Sequence, residues 1–425
     1  MKVMVVGKGA REHALAWKIS QSPMVKKVFA FPGNAGISEV ATIPVIEDDS
    51  VEALSNFALN EKIDLTVVGP EDYLANGISD VFESKGLKIF GVNKAAATLE
   101  SSKAFAKEVM ESAGIPTAFF STVTDIKSGD DILKSSTYPI VLKADGLAAG
   151  KGVIICNDYK TAKRELSEML AGKFKDAGTK VVIEQFLKGE ELSLLLFTDG
   201  THTKRLLFSQ DHKALLEEDK GPNTGGMGAY TPVSFADDNL YEKVDSLVTE
   251  PLLAELKKRG IDYRGVLYIG LMIVDGLPYV LEYNVRFGDP ETEPLMFMLE
   301  SDIIPYFLGC IEKTLNKLPE MKWKNGYGAT VVMASEGYPG SYSKGFQIDG
   351  LDSIEKGCSV FHAGTCLDHN GRIVTDGGRV LMVTGSGSTI KEALEKTYKS
   401  VRNISFKGAC FRSDIGYREL KREEK

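Results

Sequence analysis

The chain has 425 residues, of which 43% are hydrophobic and 26% charged, and its formal net charge is −8. This length allows two to four domains, and the acidic balance argues against a nucleic-acid partner or an anionic membrane surface. Five dispersed cysteines without CxxC spacing, an N-terminus unlike a signal peptide and the lack of a long apolar run predict a cytoplasmic protein with free thiols.

Strands and helices alternate along the first hundred residues. Short apolar runs such as KVMVV, KKVFAF, IDLTVVG and GLKIFG are separated by helical patterns and end in glycine-containing turns. This alternation is typical of a parallel α/β sheet. In such sheets, ligands bind outside the carboxyl ends of the strands.

The first of these turns, GKGAREHA at residues 7–14, lies between a strand and a helix. Its backbone N–H groups and the helix N-terminus predict an anion site. The dinucleotide fingerprint is incomplete, because Glu12 stands where Gly or Ala is expected. We therefore favour a phosphate-bearing substrate over NAD, with a purely structural tight turn as the alternative. The predicted substrate-binding residues here are Gly7, Gly9, Ala10, Arg11 and Glu12.

Two more turns follow strands of the same predicted sheet. Pro32, Gly33 and Asn34 belong to one of them, and Glu71 belongs to the other. We expect all four residues to contact substrate at the same edge of the sheet. Glu71 suits hydrogen bonds to sugar hydroxyls, although capping of the following helix is an alternative role.

A helical pattern from Lys94 to Gly114 is followed by two strands around a glycine-rich loop, PIVLKADGLAAGKGV. The short connection predicts a hairpin. Lys143 precedes the loop, where flexible glycines let backbone amides close over phosphates. No Walker A motif is present. Lys103 is a possible second cation, although a lone helical lysine is more often solvated.

The next strand, VVIEQFL, leads into a predicted hairpin formed by ELSLLLFTDG and TKRLLFSQ. Glu184, Gln185 and Leu187 are placed where they could meet an adenine, and Glu191 could accept hydrogen bonds from ribose hydroxyls. Residues 208–230 then form a polar, glycine-rich segment that contains Asp211, Lys213, Thr224 and Gly225. We predict a long loop that covers the substrate.

The segment YVLEYNVRFGDPETEP, residues 279–294, alternates apolar and polar residues like a strand that enters a polar turn. Glu282, Asn284 and Arg286 share one face, and Asp289 follows in the turn. Such a face suits a Mg²⁺–phosphate site, because Mg²⁺ prefers oxygen ligands and usually keeps substrate phosphates in its coordination shell. A solvated surface strand is the alternative. A helix near residues 293–309 and a strand-rich final hundred residues complete the chain.

These motifs in this order resemble the phosphoribosylamine–glycine ligases of the ATP-grasp superfamily. The resemblance runs from GKGAREHALAWK through VVGPED, VLKADGLAAGKGV, SQDHK, GPNTGGMGAY and YRGVLYIGLM to EYNVRFGDPE, nearly the whole chain. One departure is Ala10, where family members commonly have Gly. The strand VLYIGLMIV carries no carboxylate, so the resemblance leaves Glu282 and Asn284 as the metal ligands.

The resemblance implies a fold and an organisation. The implied fold class is α/β, with an N-terminal parallel-sheet domain at 1–101, a central ATP-grasp α+β domain at 102–325 and a small β-rich C-terminal domain at 326–425. A flexible lid is expected at about 119–193. The implied reaction joins glycine to 5-phosphoribosylamine through glycyl phosphate, with ATP and Mg²⁺ or Mn²⁺ as cofactors and a monomer as the working form.

The resemblance also implies roles for individual residues. Arg286 stabilises the transferring phosphoryl group, and Asp211, Lys213 and Asp289 hold glycine or the amine. The remaining substrate contacts come from the N-terminal turns, with Thr224 and Gly225 of the polar loop. ATP is held by residues of three segments: Lys103; Lys143, Gly150, Lys151 and Gly152; and Glu184, Gln185, Leu187 and Glu191.

Three alternatives remain at this stage. One is another ATP-grasp carboxylate–amine ligase or a carboxylase on the same scaffold. A second is an inactive nucleotide-binding regulator, against which the intact Glu282, Asn284, Arg286 and Lys143 argue. A third is a dehydrogenase, which rests on the N-terminal turn alone.

Overall fold

The N-terminal part of the chain forms a parallel sheet with helices around it. The structure is a computed structural model that describes residues 1–147, 152–174 and 180–424. The elements in this part are β1 Lys2–Gly7, α1 Ala10–Ser20, β2 Lys27–Pro32, a 3₁₀ turn Ile37–Glu39, α2 Val51–Glu61, β3 Leu65–Val68, α3 Glu71–Ala75, α4 Ile78–Ser84 and β4 Ile89–Phe90. The strand order is β2-β1-β3-β4, and each pairing is parallel. The predicted parallel α/β sheet is confirmed.

A second unit follows two consecutive helices. Its elements are α5 Lys94–Ser101, α6 Lys103–Ser112, β5 Phe120–Val123, α7 Ile126–Ser135, β6 Ile140–Ala144, β7 Val153–Cys156, α8 Tyr159–Leu170 and β8 Val181–Gln185. The strands form an antiparallel sheet in the order β5-β8-β6-β7. The predicted hairpin is confirmed by β6 and β7, whose connecting loop holds Gly150 and Lys151, both outside the described residues. Helices α7 and α8 pack with this sheet around a hydrophobic cluster of its own.

The helical segment predicted from Lys94 to Gly114 is confirmed, and it consists of two helices, α5 and α6. Ser102 lies between them with an extended backbone (φ −131°, ψ 111°). Its hydroxyl accepts a hydrogen bond from the Phe105 N–H at 3.1 Å and so caps α6. A serine N-cap satisfies a backbone donor that the helix cannot, which stabilises the break.

The central part of the chain contains a four-stranded antiparallel sheet. Its elements are β9 Glu190–Thr198, β10 Thr203–Arg205, β11 Gln210–Asp211, β12 Ala214–Leu216, a 3₁₀ turn Glu217–Asp219, β13 Lys220–Asn223, β14 Gly228–Thr231, α9 Asp238–Val244, a π-helical turn Asp245–Thr249, α10 Glu250–Lys258, β15 Gly265–Val274 and β16 Leu277–Asn284. The strand order is β10-β9-β15-β16. The segment 208–230 was predicted as a loop, but it forms four short strands, β11 to β14, because its backbone pairs with itself and with distant strands.

The last part of the chain completes a larger antiparallel sheet. Its elements are α11 Thr292–Met298, α12 Ile304–Glu312, a 3₁₀ turn Leu315–Lys317, β17 Tyr327–Ser335, β18 Cys358–His362, β19 Thr365–Leu367, β20 Ile373–Thr375, β21 Arg379–Gly387, α13 Ile390–Asn403, β22 Ala409–Cys410 and α14 Tyr417–Glu423. The sheet order is β11-β14-β17-β21-β18, with β22 beside β17. The helix predicted at 293–309 is two helices, α11 and α12.

Strands β11 and β14 thus connect the polar central segment to the C-terminal sheet. The main hydrophobic core is continuous across the molecule and includes Met4 of β1, Leu194 of β9 and Val383 of β21. The predicted fold class is confirmed in its N-terminal sheet, central mixed α/β part and β-rich C-terminal part. No helix among the described residues is long and apolar enough to cross a membrane.

Candidate active site

A cavity of about 420 Å³ lies where the parts of the molecule meet. Residues from α5, α6, the β6–β7 hairpin, β8, the segment 211–225, β16 and the turn after it line its walls, and one residue of β21 does so as well. Pockets of this size suit a small-molecule ligand.

Strand β16 presents the predicted polar face to this cavity. Glu282, Asn284 and Arg286 line the cavity, the intervening Val285 is buried in the core, and the largely buried Tyr283 also borders the cavity. The strand alternation therefore places the three side chains as the sequence predicts. Antiparallel pairing with β15 holds them, with Glu282 opposite Gly270.

Glu282 is the carboxylate with the most freedom to bind a ligand on this face. No hydrogen bond or ion pair to its side chain occurs in the described part of the chain. Burial alone would raise the pKa of Glu282, but the positive charges of Lys213, Lys143 and Lys103 hold it below its usual value. The carboxylate is therefore ionised and surrounded by cations, as expected at a site that holds phosphates and a metal ion.

Arg286 is fixed by acidic residues from the N-terminal part of the chain. Its guanidinium lies 3.1 Å from Glu71 and 3.1 Å from Glu100, and it donates to Asn284 Oδ1 at 3.2 Å. Glu100 also accepts a hydrogen bond from the Val285 N–H at 2.7 Å. Burial raises the pKa of Glu100 to about 7 despite the charge of Arg286. The sequence reasoning missed Glu100, which lies near the end of an ordinary amphipathic helix.

Glu71 lies between two arginines, at 3.1 Å from Arg286 and 3.9 Å from Arg11. Burial alone would raise the pKa of Glu71, but Arg286 and Arg11 lower it to about 2. Arg11 also lines the cavity, and its Nη1 donates to the Phe287 carbonyl at 3.1 Å. Arg11, Glu71 and Arg286 therefore form one charged wall.

Two predicted lysines lie on the wall that faces β16. Lys143 donates to the Leu281 carbonyl at 2.8 Å and pairs with Glu184 at 2.9 Å. Lys103 donates to the Gly146 carbonyl at 2.9 Å, beside the glycine-rich loop. Glu184 also pairs with Lys107 at 3.1 Å, and burial lowers the pKa of that lysine to about 8. The structure adds Lys107, which no sequence motif marked.

An apolar slot lies beside these lysines. Val141, Ile155, Met272 and Leu281 supply its aliphatic surface. The predicted nucleotide residues Gly152, Glu184, Gln185, Leu187 and Glu191 line the same cavity. Aliphatic side chains beside polar groups suit a planar base, which packs between the side chains and forms hydrogen bonds at its edge. The sequence reasoning missed the aliphatic residues because they are indistinguishable from core positions.

Asp211 and Lys213 line the cavity where the segment 211–225 forms its wall. Lys213 pairs with Glu191 at 3.0 Å, and burial raises the pKa of Asp211 to about 7 despite the nearby charge of Lys213. Glu291 lines the same cavity, and its Oε1 accepts hydrogen bonds from Ser193 at 3.0 Å and from Tyr268 at 2.9 Å. Glu291 was missed as a site residue, although it stands in the quoted GDPE motif.

The C-terminal sheet contributes one arginine to the cavity. Arg379 pairs with Asp289 at 3.1 Å and donates to the Gly225 carbonyl at 2.5 Å. Thr224 and Gly225 line the cavity, and the Thr224 hydroxyl donates to the Lys213 carbonyl at 2.9 Å. Arg379 therefore joins the two predicted turns, and no local motif identified it.

The N-terminal glycine turn lies outside the cavity lining, apart from Arg11. The Glu12 carboxylate accepts hydrogen bonds from the Gly9 N–H at 2.6 Å and from Arg11 Nε at 2.5 Å. A Cβ atom at Gly7 or Gly69 would collide with the Glu12 side chain. Glu12 therefore fills the turn itself, and the glycines make room for it. Ala10 begins α1 as a fully buried residue.

The second N-terminal turn is also occupied by internal contacts. The Asn34 amide donates to the carbonyls of Lys8 at 2.8 Å and His362 at 2.6 Å, and its oxygen accepts from the Ile37 N–H at 2.8 Å. Pro32 and Gly33 lie beside it and do not line the cavity. Asn34 connects the N-terminal turn to the C-terminal sheet.

The donor set on β16 fits a divalent cation. In the described part of the chain, no group of three or more His, Cys, Asp or Glu residues is arranged to hold a metal ion. Glu282 and Asn284 nevertheless present two oxygen donors to the cavity, and the Glu282 carboxylate has no competing protein donor among the described residues. Mg²⁺ needs only one or two protein oxygens when phosphates complete its shell.

Comparison with protein families gives three matches along the chain. The models described as phosphoribosylglycinamide synthetase N domain, ATP-grasp (A) domain and C domain match residues 1–100, 101–292 and 328–418. The chain is 47% identical over 422 residues to a phosphoribosylamine–glycine ligase from Nostoc sp., with 98% of this chain and 99% of the relative covered. It is 45% identical over 432 residues to one from Escherichia coli K12, with both chains fully covered.

Two solved structures resemble the structure of this chain over nearly its whole length. A crystal structure of phosphoribosylamine–glycine ligase from Thermotoga maritima matches with a TM-score of 0.85 and 34% identity, over 98% of this chain and all of that one. A biotin carboxylase from Campylobacter jejuni matches with a TM-score of 0.74 at 15% identity, over 97% of this chain and 93% of that one. The second likeness shows a common fold only.

Proposed function

The chain belongs to the phosphoribosylglycinamide synthetase family, and from this premise we propose how its cavity ligates glycine to 5-phosphoribosylamine with ATP. The products are glycinamide ribonucleotide, ADP and phosphate. The observation that carries the proposal is the ionised Glu282 on β16, which faces three lysines beside an apolar slot in one cavity.

ATP occupies the lysine-lined half of the cavity. Its adenine lies between Val141, Ile155 and Met272, and Gln185 and Leu187 lie at the edge of the base. Glu191 accepts from the ribose. The triphosphate extends past Lys143 and Lys103 toward Glu282, because point charges at this position neutralise phosphate.

Glu282 and Asn284 would hold Mg²⁺ or Mn²⁺ against the phosphates, where the ion supplies charge neutralisation and holds the phosphate oxygens in place. The two side chains approach from the same strand face, so one peptide segment sets their spacing.

In the first step, a carboxylate oxygen of glycine attacks the γ-phosphorus, and the bond to the β-phosphate oxygen breaks. The products are glycyl phosphate and ADP. Arg286 stabilises the negative charge on the transferring group, and Glu71 and Glu100 hold its guanidinium in place. Positioning and electrostatics supply most of the catalysis in phosphoryl transfer.

In the second step, the amine of phosphoribosylamine attacks the acyl carbon and expels phosphate. The nitrogen loses a proton as the amide forms. Asp211, whose pKa burial raises to about 7, can take up a proton near neutral pH. Lys213 and Asp289 hold the reactants at this end, together with Thr224 and Gly225.

The phosphosugar lies against the wall formed by Arg11 and Glu71. Arg11 is the cation of the N-terminal turn that reaches the cavity, and Glu71 suits the ribose hydroxyls. Gly7, Gly9 and Glu12 support this wall from behind. The domain boundaries, the lid at about 119–193 and the monomeric state remain predictions.

An ADP-release assay tests the proposal. We expect ADP formation that requires glycine and becomes stoichiometric with glycinamide ribonucleotide when phosphoribosylamine is generated in the same vessel. Glycine should be compared with bicarbonate and formate, because a carboxylase or formate-using ligase could share the scaffold. ADP release that depends on bicarbonate but not on glycine would overturn the proposal.

A further inference from the structure

The C-terminal segment packs behind the strand that carries Asp211 and Lys213. These two residues line the cavity, but His212 between them does not, and its side chain is fully buried. Alternation along an extended segment directs His212 away from the cavity. It meets residues 412–417, which precede and begin helix α14.

His212 is held by the start of that helix. Its Nε2 accepts a hydrogen bond from the Gly416 N–H at 3.1 Å, and its ring lies edge-on to Tyr417 with a centroid distance of 6.0 Å. Burial, together with Arg418 and Arg412, lowers the pKa of His212 to about 3, so the ring is neutral and Nε2 is free to accept. Gly416 has φ +76°, a conformation that favours glycine.

Arg412 holds the chain on the other side of Lys213. It is 1% exposed, and its Nη1 donates to the Ala214 carbonyl at 3.0 Å. The same guanidinium pairs with Asp219 at 3.0 Å and Asp414 at 2.7 Å. A buried arginine with this many acceptors fixes the backbone around it.

The two neighbours of Lys213, His212 and Ala214, are therefore both hydrogen-bonded to the segment 412–417. On the cavity side, the Lys213 carbonyl accepts only from Thr224 among the described residues, through its N–H at 2.8 Å and its hydroxyl at 2.9 Å. The backbone of the strand is also bonded to β14, where the His212 N–H donates to the Gly228 carbonyl at 2.9 Å, and the C-terminal contacts add a second support from behind.

We infer that residues 412–417 position Asp211 and Lys213 for the reaction, with His212 and Arg412 as positioning residues that never touch substrate. The inference rests on the proposed function, which places Asp211 and Lys213 at the glycine and amine end of the cavity. Displacement of a reacting group by about 1 Å can cost about 100-fold in rate. The contacts that residues 412–417 make behind the strand, which we call the latch, therefore affect the chemistry.

A double-mutant cycle tests the inference. We expect Arg412→Gln to lower kcat/KM for glycine by about tenfold or more and to change KM for ATP less, because ATP keeps its contacts with Lys103 and Lys143. In a Lys213→Ala background, Arg412→Gln should cause a smaller further loss than in the original chain, since part of its effect acts through the Lys213 side chain. Arg402→Gln is the matched control, because Arg402 is an exposed arginine of α13.

A second pair of variants covers the case in which Arg412→Gln does not fold. His212→Phe removes the acceptor for Gly416 but keeps a buried ring, whereas His212→Gln retains an acceptor oxygen. We expect His212→Gln to recover most of the glycine kcat/KM that His212→Phe loses.

The outcomes separate the two claims. If Lys213→Ala keeps full activity, both the assignment of Lys213 and the latch are wrong. If Lys213→Ala loses activity but Arg412→Gln is fully active, or its loss adds in full to that of Lys213→Ala, only the latch is wrong. Equal activity of His212→Phe and His212→Gln would also contradict the latch.

Discussion

The N-terminal glycine turn and strand β16 carry similar polar residues but use them differently. In the turn, Glu12 accepts from the Gly9 N–H at 2.6 Å and from Arg11 at 2.5 Å, so its carboxylate is occupied by the protein. On β16, the Glu282 carboxylate has no protein donor among the described residues and faces Lys103, Lys143 and Lys213. One carboxylate holds the fold together, and the other is available to a ligand.

The difference follows from what surrounds each group. Glu12 lies at the start of a helix, where free backbone N–H groups and a neighbouring arginine satisfy it. Glu282 lies on β16, the edge strand of its sheet, where pairing with β15 uses the backbone groups and leaves the side chain free. A polar residue is therefore a better candidate for binding when local backbone donors cannot reach it.

The largest expected effect is on turnover, from a change at Glu282. Glu282→Gln removes the negative charge but keeps the shape, so we expect kcat to fall by about 10³-fold, equivalent to about 4 kcal/mol of activation free energy. The thermal midpoint should change little, because no protein contact among the described residues is lost. Steady-state ADP release and a thermal melt measure both quantities. Near-normal turnover would show that Glu282 is not a functional residue of the site.

A change at Glu12 should lower the stability of the protein and have little effect on its turnover. Glu12→Ala leaves Arg11 with only the more distant Glu71, at 3.9 Å, so we expect the free energy of unfolding to fall by about 3 kcal/mol. Turnover of the folded protein should remain within about tenfold of the original, because Glu12 does not line the cavity. Urea titration and ADP release at low temperature check this. A large loss of turnover at unchanged stability would place Glu12 in the substrate site.

A smaller effect is expected at Glu100, which connects the two regions through Arg286. Burial raises the pKa of Glu100 to about 7 in the folded state, above its usual value of 4.5. The folded protein therefore binds the proton more tightly, and this contribution to stability is complete below about pH 4.5 and lost as the pH rises through 7. Glu100→Gln cannot titrate and should lose this dependence.

Unfolding free energies measured by urea titration between pH 5 and 8 test the Glu100 prediction. Relative to the variant, the original chain should lose about 2 kcal/mol of stability across this range. Parallel pH profiles for the two proteins would contradict it. The matched control is Glu395→Gln, which makes the same change at an exposed glutamate of α13.

Local patterns predicted a large share of the site. Period-two alternation placed Glu282, Asn284 and Arg286 on one face, and the strand before the glycine-rich loop placed Lys143 opposite them. The same patterns could not show that Asn34 is engaged by Lys8 and His362, because His362 is more than three hundred residues away. The prediction of a loop at 208–230 was wrong for the same reason, since β14 pairs with β17 from the last hundred residues.

The sequence by itself determined the parallel N-terminal sheet, the polar face of β16 and the resemblance to the family, because strand period, turn residues and motif order are local properties of the chain. Only the tertiary structure decided that Glu100 holds Arg286, that Arg379 joins Asp289 to Gly225 and that Arg412 supports the strand of Lys213. These contacts join residues far apart in the chain, and burial and charge pairing at such distances leave no periodic trace in the sequence.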